Sequence, residues 1–151
     1  MPQSIATRVD HEINVDMISS SLSSKGYMVM SLILRYTLQT LVPHDQLANH
    51  STVTIFCPHD NALYYYKTGD PSLGLLQYHV VPFKIDREVL DMSMPYVSKI
   101  DTLLSGHSLV PTTLPGGGPT SINGVKVKEW DVYIDGRVII HGVDDFFDPA
   151  V

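Results

Sequence analysis

The chain has 151 residues, 44% of them apolar and 17% charged, with a formal charge of −6. That length supports one domain with its own core, burying about 70% of the surface of the unfolded chain, and the apolar share excludes global disorder. The acidic balance, with basic residues scattered along the chain, excludes nucleic acid as the main partner and excludes electrostatic docking on an anionic membrane, since both need a basic face.

Asp16 is placed to cap a short helix over residues 17–22. After Gly26, Met30, Leu34, Leu38 and Leu41 recur at helical spacing and predict a helix over residues 27–41, stopped by Pro43. Residues 53–56 are β-branched and aromatic and predict a buried strand, ended by Pro58. Asp60 is placed to cap a helix through Ala62, Leu63 and the run Tyr64-Tyr65-Tyr66. Gly69-Asp70-Pro71 is a turn. Residues 73–77 predict one helical turn, residues 78–81 extended chain before Pro82, and Asp86 the cap of a brief helix through Leu90. From Val97 onward the pattern is mostly β. Ser105-Gly106 is a turn, residues 115–119 are a loop, and Asn123-Gly124 and Asp135-Gly136 mark two hairpins. Helices in the first half and antiparallel strands in the second define an α+β class.

Few residues offer chemistry. Cys57 is the single cysteine, so no intramolecular disulfide forms, and at the end of an apolar strand it reads as a buried, inert thiol. The seven histidines (His11, His44, His50, His59, His79, His107 and His141) show no i, i+4 pair, and there is no paired-cysteine motif, so no metal is expected. A nucleophile elbow and a phosphate-binding loop are both missing from the sequence. No catalytic residue and no cofactor are therefore assigned. Tyr64, Tyr65, Tyr66, Trp130, Tyr133, Phe146 and Phe147 are the candidates for stacking on sugar rings. The longest apolar run, residues 27–34, is broken by Arg35 and is too short to span a bilayer. Residues 1–10 lack the apolar core of a signal peptide, and the ending Asp148-Pro149-Ala150-Val151 lacks the apolar tail of a lipid-anchor signal. Either the chain is cytosolic or its ends were trimmed.

Three segments together resemble the fasciclin domain. Thr52-Val53-Thr54-Ile55-Phe56-Cys57-Pro58-His59-Asp60-Asn61-Ala62-Leu63 looks like the first homology segment, where a buried strand runs into Phe-Ala-Pro-Thr-Asp and a helix. Leu75-Leu76-Gln77-Tyr78-His79-Val80-Val81-Pro82 matches the central tyrosine–histidine motif. Gly136-Arg137-Val138-Ile139-Ile140-His141-Gly142-Val143-Asp144-Asp145-Phe146-Phe147-Asp148-Pro149 looks like the second homology segment, and its ending is most similar to plant fasciclin-like arabinogalactan proteins. Cys57 and His59 depart from the usual alanine and threonine.

The resemblance implies a fasciclin domain over residues 16–151, built as an antiparallel β-sandwich or wedge with helices packed on it, after an N-terminal extension over residues 1–15. It implies a secreted or cell-surface protein trimmed from a longer chain, which in the family often carries glycosylated flanks and a lipid anchor. The implied role is a non-catalytic adhesion or matrix module whose partners are surface or matrix proteins or cell-wall glycans. The alternative is a polysaccharide- or small-ligand-binding module in cell-surface signalling. Tyr78 and His79 are the partner-binding candidates by resemblance, although their apolar neighbours suit a buried segment. Phe56, Pro58, Asp60, Ala62, His141, Gly142 and Asp144 are family-motif residues expected to be structural. Asn49-His50-Ser51 is a glycosylation sequon, which makes Asn49 a candidate acceptor. Asp60 and His79 are polar groups beside apolar runs, and a hydrogen bond between them is expected to join the first segment to the central motif.

Overall fold

The computed structural model describes residues 13–42, 52–64, 72–93, 99–113 and 118–149. The first helix, α1 (Val15–Ser24), is capped by Asn14, whose side chain accepts from the Met17 amide at 3.1 Å. The sequence placed that cap at Asp16. Asp16 lies inside the first turn, out of position for capping, and pairs with Arg35 at 3.2 Å. The second helix, α2 (Met28–Leu41), buries Met30, Leu34, Leu38 and Leu41, the stripe read from the spacing. Val42 is already extended, as a residue before proline must be. The two helices are joined where they pack, with the buried Ser31 hydroxyl donating to the Ser19 carbonyl at 3.1 Å.

The chain continues through β1 (Val53–Pro58), α3 (Asp60–Tyr64), α4 (Leu73–Gln77), β2 (Val80–Val81) and α5 (Arg87–Ser93). The rest is β: β3 (Ile100–Asp101), β4 (Ser108–Leu109), β5 (Ser121–Ile122), β6 (Val125–Ile134) and β7 (Val138–Val143). Ser72 caps α4 and Asp86 caps α5, accepting from the Leu75 and Val89 amides at 3.1 and 2.8 Å. Asn123 and Gly124 both adopt positive φ, 53° and 76°, the two-residue hairpin turn that Asn-Gly favours. The second hairpin turns one residue later than the sequence suggested. The Asp135 amide bonds the Val138 carbonyl at 2.9 Å, so the loop is Gly136-Arg137. Asp135 instead stabilises the turn from its first position, its carboxylate accepting from the Arg137 and Val138 amides at 2.6 and 2.8 Å. The predicted turn at Gly69-Asp70-Pro71 lies outside the described residues, as does most of the 115–119 loop.

Five strands form one sheet in the order β2-β1-β7-β6-β5, and β3 and β4 pair as a separate ribbon. The α+β arrangement is present, with one departure from the antiparallel expectation. The central pair, β1 and β7, is parallel, with Val53 opposite Val138 and Pro58 opposite Val143. A parallel pair needs a long crossover, and here most of the domain supplies it. Both strands are buried along their whole length, which is why they read as continuous apolar runs and not as alternation. Val53, Ile55, Cys57, Val138 and Ile140 enter one core with Ile18, Leu22 and the α2 stripe. Phe56, Val143, Tyr78, Ile85, Leu109, Ile122 and Phe147 form a second core. Ile13 and Val15, which the sequence assigned to an extension, pack against the first core.

The buried Thr54 is fully used. Its hydroxyl donates to the Phe83 carbonyl at 2.8 Å and accepts from the Ile85 amide at 2.7 Å, fixing the chain after β2. β6 carries two register shifts against β7, and Asp131 sits in the second, between Glu129 and Tyr133, at φ 53°. These bulges explain the imperfect alternation of the β6 sequence.

Gly142 on β7 has no room for a side chain, because a Cβ there would overlap the hydroxyl end of the buried Tyr27 ring. Gly142→Ala is expected to cost about 1–3 kcal/mol by overpacking. Gly136→Ala, with open space around it, should stay within about 0.5 kcal/mol of wild type. Thermal unfolding of both variants checks this, and equal midpoints would contradict the close approach.

Candidate functional site

The three motif segments converge on the parallel strand pair. At its C-terminal end, the Asp60 amide donates to the Gly26 carbonyl at 3.1 Å. The Asp60 carboxylate accepts from the Met28 and Val29 amides at 3.2 and 2.9 Å. Asp60 therefore caps α2 from a distant part of the chain, and not the helix it opens. That cap is needed because Tyr27, at the N-cap position of α2, offers no side-chain hydrogen bond, and a carboxylate at a helix N-terminus also opposes the helix dipole favourably. His59 takes the capping position before α3, its Nδ1 accepting from the Asn61 amide at 3.3 Å. A ring nitrogen thus does here what a threonine hydroxyl does elsewhere. Tyr27 packs edge-on to His59 with ring centres 5.2 Å apart, and its hydroxyl donates to Glu129 at 3.4 Å.

The central motif is interior. Tyr78 is 3% exposed and His79 1%. The Tyr78 hydroxyl donates to the Ser108 carbonyl and accepts from the Asn123 side-chain amide, both at 2.9 Å. Asn123 in turn accepts from the Val110 amide at 2.7 Å. One phenol thus ties the β3–β4 ribbon to the β5–β6 turn. His79 Nε2 accepts from the Phe147 amide at 2.9 Å, so Nδ1 carries the proton and donates to the Leu75 carbonyl at 2.8 Å. The His79 and Phe147 rings stack at 4.8 Å. The expected Asp60–His79 bond is not formed. Each group satisfies its burial requirement with nearer backbone partners.

His141 is the mirror case. Its Nδ1 accepts from the Asp131 amide at 3.1 Å at the β6 bulge, so Nε2–H donates to the Ile85 carbonyl at 2.7 Å. Trp130 covers it edge-on at 4.8 Å. Burial lowers the proton affinity of both imidazoles, that of His79 to about 4, and the bond to Leu75 offsets only part of this. Burial likewise raises the Cys57 thiol far above its usual range, so no thiolate is available. Among the described residues, no three histidine, cysteine or acidic side chains gather as a metal site.

Next to the central motif lies an open cleft of about 670 Å³ between α4, the turn of the β3–β4 ribbon and residues 145–149. Leu75, Leu104 and Phe146 line it together with the exposed His107, Asp145 and Asp148.

The fasciclin domain family model matches residues 30–149. The chain belongs to the fasciclin domain family. The fasciclin chain is 35% identical over 146 residues to "Putative fasciclin-like arabinogalactan protein 20" of Arabidopsis thaliana, covering 89% of this chain and 33% of that protein. It therefore spans about a third of the length of that relative. A solved FAS1 domain pair from the insect cell adhesion molecule fasciclin I has the same fold, with a TM-score of 0.56 and 15% identity over 76% of this chain and 44% of that one. Among the described residues no helix is long and apolar enough to cross a membrane.

Within this fasciclin domain the remaining motif residues also have structural work. Phe56 packs edge-on against Phe147 at 5.6 Å, Pro58 closes β1 opposite Val143, and the Ala62 amide donates to the His59 carbonyl at 2.9 Å. The Asp144 amide bonds the Lys126 carbonyl at 3.1 Å, while its side chain is exposed. Asn49, with the sequon, and Tyr65 and Tyr66 lie outside the described residues. Of the described sugar-stacking candidates, Trp130 packs against His141, Tyr133 is buried with its hydroxyl on Asp135, and Phe146 and the buried Phe147 line the cleft. Sequence reasoning missed the roles of Tyr27, Thr54 and Asn123, whose partners are all distant in sequence. The Asn-Gly pair marked Asn123 as a turn residue and Thr54 fell inside a motif segment, but no local signal named the partners.

Two outcomes follow from these bonds. Asp60→Ala should cost about 1 kcal/mol through the lost cap, with Asp60→Asn losing less, as read by urea unfolding. The second outcome is a pH dependence. Unfolded histidine takes a proton near pH 6.5, and folded His79 near pH 4. Stability is therefore full above 6.5 and declines as pH falls toward 4, by up to about 1.4 kcal/mol per pH unit for this group, with His141 adding in the same direction. Urea midpoints that are flat between pH 7 and pH 4.5 would contradict the two neutral imidazoles.

Proposed function

We propose that this domain is a non-catalytic adhesion or matrix module of a secreted protein, working at the cell surface or in the cell wall through contacts with proteins or glycans. The observation that carries the reading is where the reactive groups are spent. Cys57, His79 and His141 are the thiol and the imidazoles at the centre of the motif segments, and each is buried in the fold, with both histidines hydrogen-bonded to backbone. Both ring nitrogens of each of these two histidines are engaged by backbone, so neither serves as a general base. Surface complementarity is then the mode of action, and Tyr78 and His79 serve it by shaping the interior, not by touching the partner.

The likeness to an arabinogalactan protein and to an adhesion molecule supports an extracellular setting. The Asn49 sequon fits that setting as a glycan acceptor, and a lipid anchor on the longer protein belongs to the same reading.

Expression behind a signal peptide in a plant cell, comparing wild type with Asn49→Gln by mass, is expected to give a secreted domain that loses a glycan-sized mass in the variant. Beads coated with the secreted domain should then adhere to extracellular-matrix or wall material more than bare beads do. Intracellular degradation of a domain that folds well in a reducing cytosol would contradict the compartment. Adhesion no better than that of bare beads would contradict the function.

A further inference from the structure

We propose that Asn123 is a spontaneous deamidation site, gated by the bonds that hold the β5–β6 turn, and that its product unties the β3–β4 ribbon from that turn. Asparagine before glycine suits this chemistry, because glycine has no side chain to hinder attack by its own backbone nitrogen. The Gly124 nitrogen gives its proton to a solvent base and attacks the side-chain carbonyl carbon of Asn123. A new C–N bond closes a succinimide ring, the bond to Nδ2 breaks, and ammonia leaves with a proton from solvent. Water then opens the ring at either carbonyl, giving aspartate or isoaspartate. The sum is one water consumed and one ammonia released, with nothing oxidised or reduced.

The native turn holds back each atom of this reaction. The Gly124 N–H donates to the Thr112 hydroxyl at 2.9 Å. The Asn123 side-chain amide is held at both ends, its oxygen accepting from the Val110 amide at 2.7 Å and its nitrogen donating to the Tyr78 hydroxyl at 2.9 Å. The Asn123 backbone amide donates to the Val110 carbonyl at 2.8 Å. While these bonds last, the side chain does not swing toward the Gly124 nitrogen. Yet Thr112 and Gly124 are exposed and Asn123 is only half-buried, so the turn opens without the core unfolding. The native rate is then the rate of the open turn multiplied by the fraction of time it is open.

The product changes the joint. Either acid puts a carboxylate, which only accepts, where Nδ2 donated to the Tyr78 hydroxyl. That hydroxyl has a single proton, now contested by the Ser108 carbonyl and the new carboxylate. Isoaspartate also adds a methylene to the backbone of a two-residue turn that sets the pairing of Ser121 with Lys126 and Ile122 with Val125. The change is irreversible and accumulates with the age of the molecule.

The test is incubation of the domain at mildly alkaline pH, well below its thermal midpoint, with Asn123 followed by peptide mapping and mass spectrometry. Folded wild type is expected to deamidate at least about tenfold more slowly than the same chain in urea, the slowing imposed by a turn open less than about a tenth of the time. Thr112→Val, at an exposed position, should speed the folded reaction about two- to tenfold, the weight of one hydrogen bond, and Thr112→Ser should leave it near wild type. Tyr78→Phe, which frees the other end of the side chain, should speed it as well. In the deamidated domain, the NMR amide signals of Ser108, Leu109 and Val110 should move. Equal rates in folded and unfolded chain, or wild-type rates in both Thr112→Val and Tyr78→Phe, would overturn the gating. No product in the folded domain after weeks of incubation would overturn the site, and unmoved ribbon amides would overturn the untying.

Discussion

A neutral imidazole joins the middle of this domain to its C-terminal segment, and much of the architecture depends on it. Phe147 is fully buried in the second core. Its backbone amide is buried with it, and an unsatisfied buried amide costs about 1–3 kcal/mol. His79 resolves that conflict with one ring nitrogen while its other satisfies Leu75 at the end of α4. The stacked rings then seal the junction between Phe56, Tyr78 and Phe147. A charged imidazole has no lone pair to accept the Phe147 amide, so the arrangement works only while the ring stays neutral.

The same logic recurs at the other long-range joints. Asp60 supplies from β1's far end the cap that α2 lacks, Tyr78 ties two hairpins, and His141 ties the β6 bulge to the chain after β2. Each polar group in these joints bridges elements distant in sequence, and each is satisfied by backbone or by another side chain in the joint. The parallel pairing of β1 and β7 belongs to this pattern, since most of the other elements lie between these two strands in the chain. A domain so rich in distant contacts carries a high loop-closure cost during folding.

Much of the local structure was legible in the sequence. The α2 stripe, the buried run at residues 53–56, the Asn123-Gly124 turn and the order of the three motif segments all follow from patterns that span a few residues. What was not legible is which groups meet. Nothing local distinguishes a carboxylate that caps its own helix from one that caps another, and Asp60 proved to be the second kind. The parallel register of β1 and β7 was hidden because two strands buried on both faces show no alternation to orient them. The tautomers of His79 and His141 are set by distant carbonyls and amides, and the close approach of Tyr27 to Gly142 is invisible until the helices pack on the sheet. The cleft has the same origin, because its described lining residues come from stretches far apart in the chain. For function, this means that the recognisable motif specifies the scaffold, and the proposed adhesion role leaves partner choice to exposed residues around it.

The most direct test of that division of labour is nitrogen-15 NMR of the histidine rings in the folded domain near pH 5.5. The account predicts that His79 is neutral, carries its proton on Nδ1 and is protected from exchange. A ring that is protonated, carries its proton on Nε2, or exchanges freely with solvent would contradict it and return the central motif to the surface.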